Sequence, residues 1–256
     1  MGLTLFDREG QRLVRNPCGE IIMRRALTVM AERDRAGDEY NALIEERAGR
    51  VAIGVIDAPM VTILTDAIAE IQADHPLIDI DILSVSSATL FDSLCTGEID
   101  IMLGRPPGLS RPDRYSYLDI AHEGLTFVAR PDLPLVRQRS VPLDTLAMYP
   151  WVLQRTGLSL RQGVEHLLQE HKRAMPTRVL NTDSLFMTLS YAARSDAAAV
   201  ISQPMAHMQA ETGQIAILDT AYQVSISSYG ILTARNRALP PVASRVLDVL
   251  RCHAAV

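Results

Sequence analysis

The stretch 50–105 constrains the fold more than any other part of the chain. It opens with Val51-Ala52-Ile53-Gly54-Val55-Ile56, a short apolar run that reads as a buried strand. Asp57-Ala58-Pro59 breaks the run, and residues 60–73 then carry Ile63, Leu64, Ala67, Ile68 and Ile71 at helical spacing. After His75-Pro76 the alternation Ile78-Asp79-Ile80-Asp81-Ile82-Leu83 predicts a second strand. Ser86-Ser87 can cap a helix through Leu90, Phe91 and Leu94 that stops at Gly97, and Ile99-Asp100-Ile101-Met102-Leu103 predicts a third strand. The order βαβαβ requires crossover connections, so the strands are expected to be parallel and the crossovers right-handed. Ligands of such sheets bind at the carboxyl ends of the strands. Here those ends are Asp57-Ala58-Pro59, Val85-Ser86-Ser87 and Gly104-Arg105-Pro106.

The rest of the 256-residue chain is long enough for a second domain with its own core. No run approaches the ~20 apolar residues that cross a bilayer, so no membrane partner is expected. The N-terminus lacks the basic-then-apolar order of a signal peptide, which predicts a cytoplasmic protein. Cys18, Cys95 and Cys252 are odd in number, far apart and form no CxxC, so neither a disulfide framework nor a zinc site is indicated. The six histidines never fall at metal-ligand spacing, and GxSxG, GxxxxGK[ST] and GxGxxG are absent. The sequence therefore predicts no enzyme, no cofactor and no metal. A formal net charge of −5 argues against a surface that binds nucleic acid throughout, although Arg8, Arg12, Arg15, Arg24 and Arg25 crowd the first segment.

Residues 1–16 read as a small hairpin with a basic tip. Asn16-Pro17 is a helix start, with a capping residue before proline at the first helical position. The helix it opens is expected to reach about Arg47, extending roughly 45 Å. Ile22, Ala26, Val29, Ala36, Tyr40 and Leu43 form a narrow stripe along it, the seam of a coiled coil, and a second copy of the chain is the simplest partner. Downstream, 104–112 reads as loop, 115–120 as a short strand, and Gly124-Leu125-Thr126-Phe127-Val128-Ala129 as a new strand. A second α/β unit follows: strand Trp151-Val152-Leu153, loop Gln154-Arg155-Thr156-Gly157, helix 158–171, strand Arg178-Val179-Leu180, cap Thr182-Asp183-Ser184, and strand Ala198-Ala199-Val200-Ile201 ending at Ser202-Gln203-Pro204. The alternating strand 223–233 and a helix opened by Pro240-Pro241 return the chain to its first unit.

The sequence resembles a LysR-type transcriptional regulator. Three features carry the likeness. Gly2-Leu3-Thr4-Leu5-Phe6-Asp7-Arg8 through Pro17-Cys18-Gly19-Glu20 is similar to the wing of the family's winged helix-turn-helix and the start of its linker helix. Gly97-Glu98-Ile99-Asp100-Ile101 resembles its Gly-Glu-Leu-Asp-hydrophobic signature, and Arg130-Pro131-Asp132-Leu133-Pro134-Leu135 its strand-end motif. The chain departs from the family at Arg15-Asn16, where Leu-Thr is usual, and at Ala58-Pro59, where a hydroxyl residue often stands. It also starts downstream of the family's recognition helix, and so reads as a truncated chain. The resemblance implies an α/β fold of two Rossmann-like lobes, like that of periplasmic binding proteins, with a cleft between them and a dimerising linker helix in front. The implied domains are the wing remnant 1–16, the linker helix 17–48, lobe I from 49–120 with 222–256, and lobe II from 121–221.

It further implies an effector-sensing regulatory domain. A small anionic or hydroxylated metabolite would bind in the cleft, and the signal would pass through a homodimer or homotetramer. Promoter DNA would be a partner of the full-length protein only, with Arg8 and Arg12 touching phosphates at most. Helix N-termini around a cleft present unpaired N–H groups and a positive dipole end. The effector-binding candidates are therefore Ala58, Pro59, Met60, Ser86, Ser87 and Arg105 from the first unit. From the second they are Arg155, Thr156, Thr182, Asp183, Ser184 and Ser202. Capping alone also accounts for Ser86, Ser87, Thr182 and Ser184. Two other readings fit the same fold pattern. A two-lobe solute-binding protein should carry a signal peptide and no basic hairpin; a small two-lobe enzyme needs a catalytic base in its cleft, and none is nominated.

Overall fold

The computed structural model describes residues 4–44, 49–106 and 114–255. The expected helix end at 45–47, the loop at 107–112, the Leu43 side chain and the first three residues lie outside that set. Two compact units are found, Met1–Asp119 with Gly230–Val256, and Ile120–Tyr229.

The first unit begins with the expected hairpin: β1 (Phe6–Glu9) pairs antiparallel with β2 (Arg12–Arg15), with Arg8 opposite Leu13 and Glu9 opposite Arg12. Asn16 fixes the corner to the next element. Its side-chain oxygen accepts the Gly19 N–H at 2.9 Å, and its amide donates to the Thr4 carbonyl at 3.0 Å. Helix α1 (Pro17–Ile44) follows. Ile22, Val29 and Tyr40 of the seam are exposed at 45%, 69% and 64%, and Ile21, Leu27 and Met30 beside them are exposed too. A single chain thus leaves this apolar stripe in water.

Strands β3 (Gly49–Val55), β4 (Ile78–Ser84) and β5 (Ile101–Gly104) are parallel, in the order β4-β3-β5. Strand β11 (Val224–Ala234) closes the unit's sheet through antiparallel pairs from Gly230↔Gly104 to Thr233↔Ile101. The crossover after β3 is one helical run: α2 (Asp57–Pro59), a π-helical turn at Met60–Leu64, and α3 (Thr65–Asp74). Pro59 is tolerated because the first turn of a helix has no partner for its N–H groups. Helix α4 (Ser87–Thr96) makes the second crossover. Its start and stop are those the sequence specifies, with the Ser86 hydroxyl accepting the Thr89 N–H and Gly97 in the left-handed conformation at φ +89°. Ile53, Val55, Leu64, Ile71, Leu90, Leu94, Ile101 and Leu103 are buried in this unit, as are Val246, Leu247 and Leu250 of the C-terminal helix α9 (Pro241–Ala254).

The Gly97–Ile101 motif is structural. Ala52 donates its N–H to the Asp100 carboxylate at 2.9 Å, and the Asp100 N–H donates to the Ala52 carbonyl at 2.8 Å. Ser93 donates to Glu98 at 2.6 Å and Arg237 to the Ile99 carbonyl at 3.1 Å. The motif ties the end of α4 to the start of β5.

The second unit repeats the layout. Strands β7 (Trp151–Leu153), β8 (Val179–Asn181) and β9 (Ala198–Ser202) are parallel in the order β8-β7-β9. Strand β6 (Tyr115–Ala129) lies antiparallel to β9, and β10 (Ala216–Ile217) pairs with β6. The sequence suggests two strands at 115–129, but the structure has one of 15 residues, because Ile120 to Glu123 keep extended backbone between the two apolar runs. Helices α5 (Leu143–Leu146), α6 (Ser159–Glu170), α7 (Leu185–Ala192) and α8 (Gln203–Glu211) complete the unit. Helices α5 and α8 were not expected: the first is a single turn, and the second follows a strand end that reads as loop. Trp151 anchors the core, edge-on to Phe127 at 5.1 Å, with its indole N–H bonded to the Leu146 carbonyl at 2.8 Å.

Candidate functional site

Parallel pairing makes Ser84, Val55 and Leu103 neighbours across β4, β3 and β5. Two residues further along each strand stand Ser86, Asp57 and Arg105. A hydroxyl, a carboxylate and a guanidinium therefore follow the carboxyl ends of three adjacent strands. Ser87, beside Ser86, accepts the Arg105 N–H at 3.2 Å, so the first turn of α4 and the end of β5 hold each other. Ser86 also shares a hydrogen bond with the Thr89 hydroxyl at 3.0 Å.

Arg105 is 6% exposed, a charged side chain taken into the interior. Asp57 is half-buried, and that burial pushes its carboxyl above the ordinary carboxylate value; the charge of Arg105 pulls it back only in part. Among the described residues no hydrogen bond to the Asp57 carboxylate relieves its burial. Asp57 is absent from the candidates drawn from sequence. Counting two residues beyond the paired Ser84, Val55 and Leu103 selects it with Ser86 and Arg105, and that count needs the register. The other candidates of this unit differ in access, with Ala58 and Pro59 buried and Met60 half-buried.

The second unit gathers its candidates at the matching strand ends. Arg155, after β7, forms an ion pair with Asp183, after β8, and the Asp183 carboxylate accepts the Arg155 N–H at 3.1 Å. Burial raises the Asp183 pKa, but the hydrogen bonds and charge of Arg155 outweigh it and hold the carboxyl below its usual range. Arg155 is thus a partner of Asp183 rather than an unclaimed cation. Ser184 is the true cap of α7, accepting the Met187 N–H at 3.2 Å, and Thr182 accepts the Ser184 N–H at 3.2 Å. Thr156 is exposed on the intervening loop. Ser202, at the end of β9, is 2% exposed, and its hydroxyl has no hydrogen-bond partner among the described residues. Arg8 and Arg12 are exposed on the hairpin. No group of three or more His, Cys, Asp or Glu that could hold a metal occurs among the described residues.

Both units carry parallel strands with polar residues beyond their carboxyl ends. The model of the LysR substrate binding domain matches residues 45–255, and the chain belongs to that family. It is 31% identical over 252 residues to the HTH-type transcriptional regulator GbpR of Azospirillum brasilense, covering 98% of this chain and 74% of that protein. It is 34% identical over 252 residues to GbpR of Rhizobium radiobacter, covering 97% and 82%. Among solved structures, CbnR, a LysR family transcriptional regulator, aligns with a TM-score of 0.67 at 15% identity over 94% of this chain and 82% of CbnR. The regulatory domain of Synechocystis PCC6803 CcmR in complex with 2-PG aligns with a TM-score of 0.67 at 19% identity, over 79% of this chain and 96% of that one. The chain thus carries the effector-binding domain of a LysR-type transcriptional regulator, preceded by a long helix, and its relatives are regulators and not enzymes. None of its described helices is long and apolar enough to cross a membrane.

Proposed function

We propose that the chain senses a small metabolite at the carboxyl ends of its parallel strands and relays binding through a homodimer to promoter DNA in the cytoplasm. The observation that carries this reading is that Ser86, Asp57 and Arg105, three different polar groups, each stand two residues past the paired Ser84, Val55 and Leu103. The proposed contacts in the first unit are Met60, Ser86, Ser87 and Arg105, with the backbone of Ala58 and Pro59, and now Asp57. The proposed contacts of the second unit are Arg155, Thr156, Thr182, Asp183, Ser184 and Ser202. The complex of the CcmR regulatory domain with 2-PG supports a small molecule as the kind of ligand this fold holds.

Transmission runs through α1. Its exposed apolar stripe supports pairing with a second copy, and a tetramer would be built from such dimers. An effector with unequal affinity for two dimer arrangements supplies the switching energy. Promoter DNA is read by the whole regulator; Arg8 and Arg12 of the hairpin touch phosphate at most.

A thermal-shift screen of the purified chain against small metabolites tests the reading. An effector at 100 times its dissociation constant stabilises the fold by about 2.7 kcal/mol. A hit that Ser86→Ala weakens supports the site; a hit that substitutions of Ser86, Asp57 and Arg105 leave unchanged removes it.

A further inference from the structure

Helix α4 has one end at the candidate site and the other against α1. At its N-terminus the Ser87 hydroxyl accepts the backbone N–H of Arg105 at 3.2 Å, which ties the first turn to the end of β5. At its C-terminus the Gly97 and Glu98 N–H groups both donate to the Ser93 carbonyl at 3.0 Å, so the last turn closes on itself. Leu90, Ser93 and Leu94 are buried between the two ends. The helix has 10 residues and spans about 15 Å. Held by its own backbone hydrogen bonds, it shifts as one body, and displacement at one end is felt at the other.

Helix α1 meets the C-terminal end of α4 at Gly97. A Cβ built on Gly97 would lie 3.6 Å from the Ala31 Cβ and would overlap Arg237 Nη1. Arg237 also donates from Nη2 to the Ile99 carbonyl at 3.1 Å, and a cation is favoured beside the C-terminus of a helix. Thr28 and Ala31 of α1 are half-buried, whereas Ile22 and Val29 are exposed. At about 3.6 residues per turn, Ala31 lies roughly half a turn around the helix from Ile22 and Val29. One side of α1 is therefore seated on its own unit, and the apolar stripe faces away from that seat.

We propose that α4 couples the candidate site to α1. Displacement of its Ser87 end shifts the seat of Ala31 at Gly97, and with it the stripe on which a second copy pairs. This rests on the effector-site and pairing readings above and names the contact that joins them. Coupling acts in both directions, so disturbing either end loosens the other.

Hydrogen exchange of the purified chain without ligand tests the coupling, because exchange reads local opening. Two variants disturb the two ends. Ala31→Gln places a longer side chain at the Gly97 contact and keeps a good helix former in α1. Ser87→Ala removes the acceptor of the Arg105 N–H. Ala31→Gln is expected to accelerate exchange in the peptide containing 85–90 by about fivefold or more, and Ser87→Ala to do the same in the peptide containing 28–34. Exchange in 151–153 and 198–201 of the second unit stays at the wild-type rate in both. Acceleration confined to the substituted end overturns the coupling and leaves the effector-site reading standing, since ligand protection at the strand ends decides that reading. Acceleration that spreads into the second unit's strands is general loosening and overturns the coupling as well. If Ala31→Gln does not fold, the response of 28–34 to Ser87→Ala decides alone.

Discussion

Asp100 and Ala52 hold each other by two hydrogen bonds, the Ala52 N–H to the Asp100 carboxylate at 2.9 Å and the Asp100 N–H to the Ala52 carbonyl at 2.8 Å. The pair ties the entry of β5 to the middle of β3, five residues before Arg105 and Asp57 along their own segments. Asp100→Ala leaves the Ala52 N–H without its acceptor in a region that is 4% exposed at Asp100. Loss of a buried partner costs about 1–3 kcal/mol. Urea unfolding of the variant should show that loss in its midpoint, with Asp100→Asn recovering part of it.

Gly97 ends α4 at φ +89°, and a side chain there would collide with the Arg237 guanidinium. Gly97→Ala therefore combines backbone strain with displacement of the arginine that bonds the Ile99 carbonyl. We expect a loss of about 1–2 kcal/mol, seen as a lower melting temperature.

Asp57 sets a pH signature. Its folded carboxyl is held above the ordinary value of 3.8, so between the unfolded and folded pKa values the native chain binds more protons than the unfolded one. Stability at this residue is full below the unfolded value and falls as pH rises through the folded one. Asp57→Asn removes that loss. The variant should melt higher than the wild type at neutral pH, and the gain should vanish below about pH 4 in a pH series of calorimetric scans.

The exposed stripe on α1 predicts association. Leu27 is 44% exposed and Val29 is 69% exposed, and burying such side chains is worth about 1.5–3 kcal/mol each. Sedimentation equilibrium should find a dimer, and Val29→Glu or Leu27→Asp should weaken it by about tenfold or more. A monomer throughout the micromolar range would refute this role for the helix.

Much of this structure was legible because short-range chemistry specifies it. Asn16, Ser86 and Ser184 cap the helices the sequence assigns to them, and Gly97 stops α4 where only a left-handed residue fits. The alternation and apolar runs of 51–103 specify parallel strands. Long-range pairing was harder to read. The union of 115–120 with 124–129 into β6 rests on extended backbone through 121–123, and the polar residues between the two runs hide it. The site was legible in part. Ser86, Ser87 and Arg105 lie at the strand ends named from sequence, but Asp57 needed the register, and the pairing of Arg155 with Asp183 needed the fold.

Hydrogen exchange of the purified chain, with and without a metabolite that stabilises it, tests the central claim most directly. Site occupancy at the strand ends predicts slowed exchange in the peptides containing 56–60, 85–90 and 104–106, with hairpin 6–15 unaffected. Protection absent from all three segments while the ligand is demonstrably bound would contradict the account.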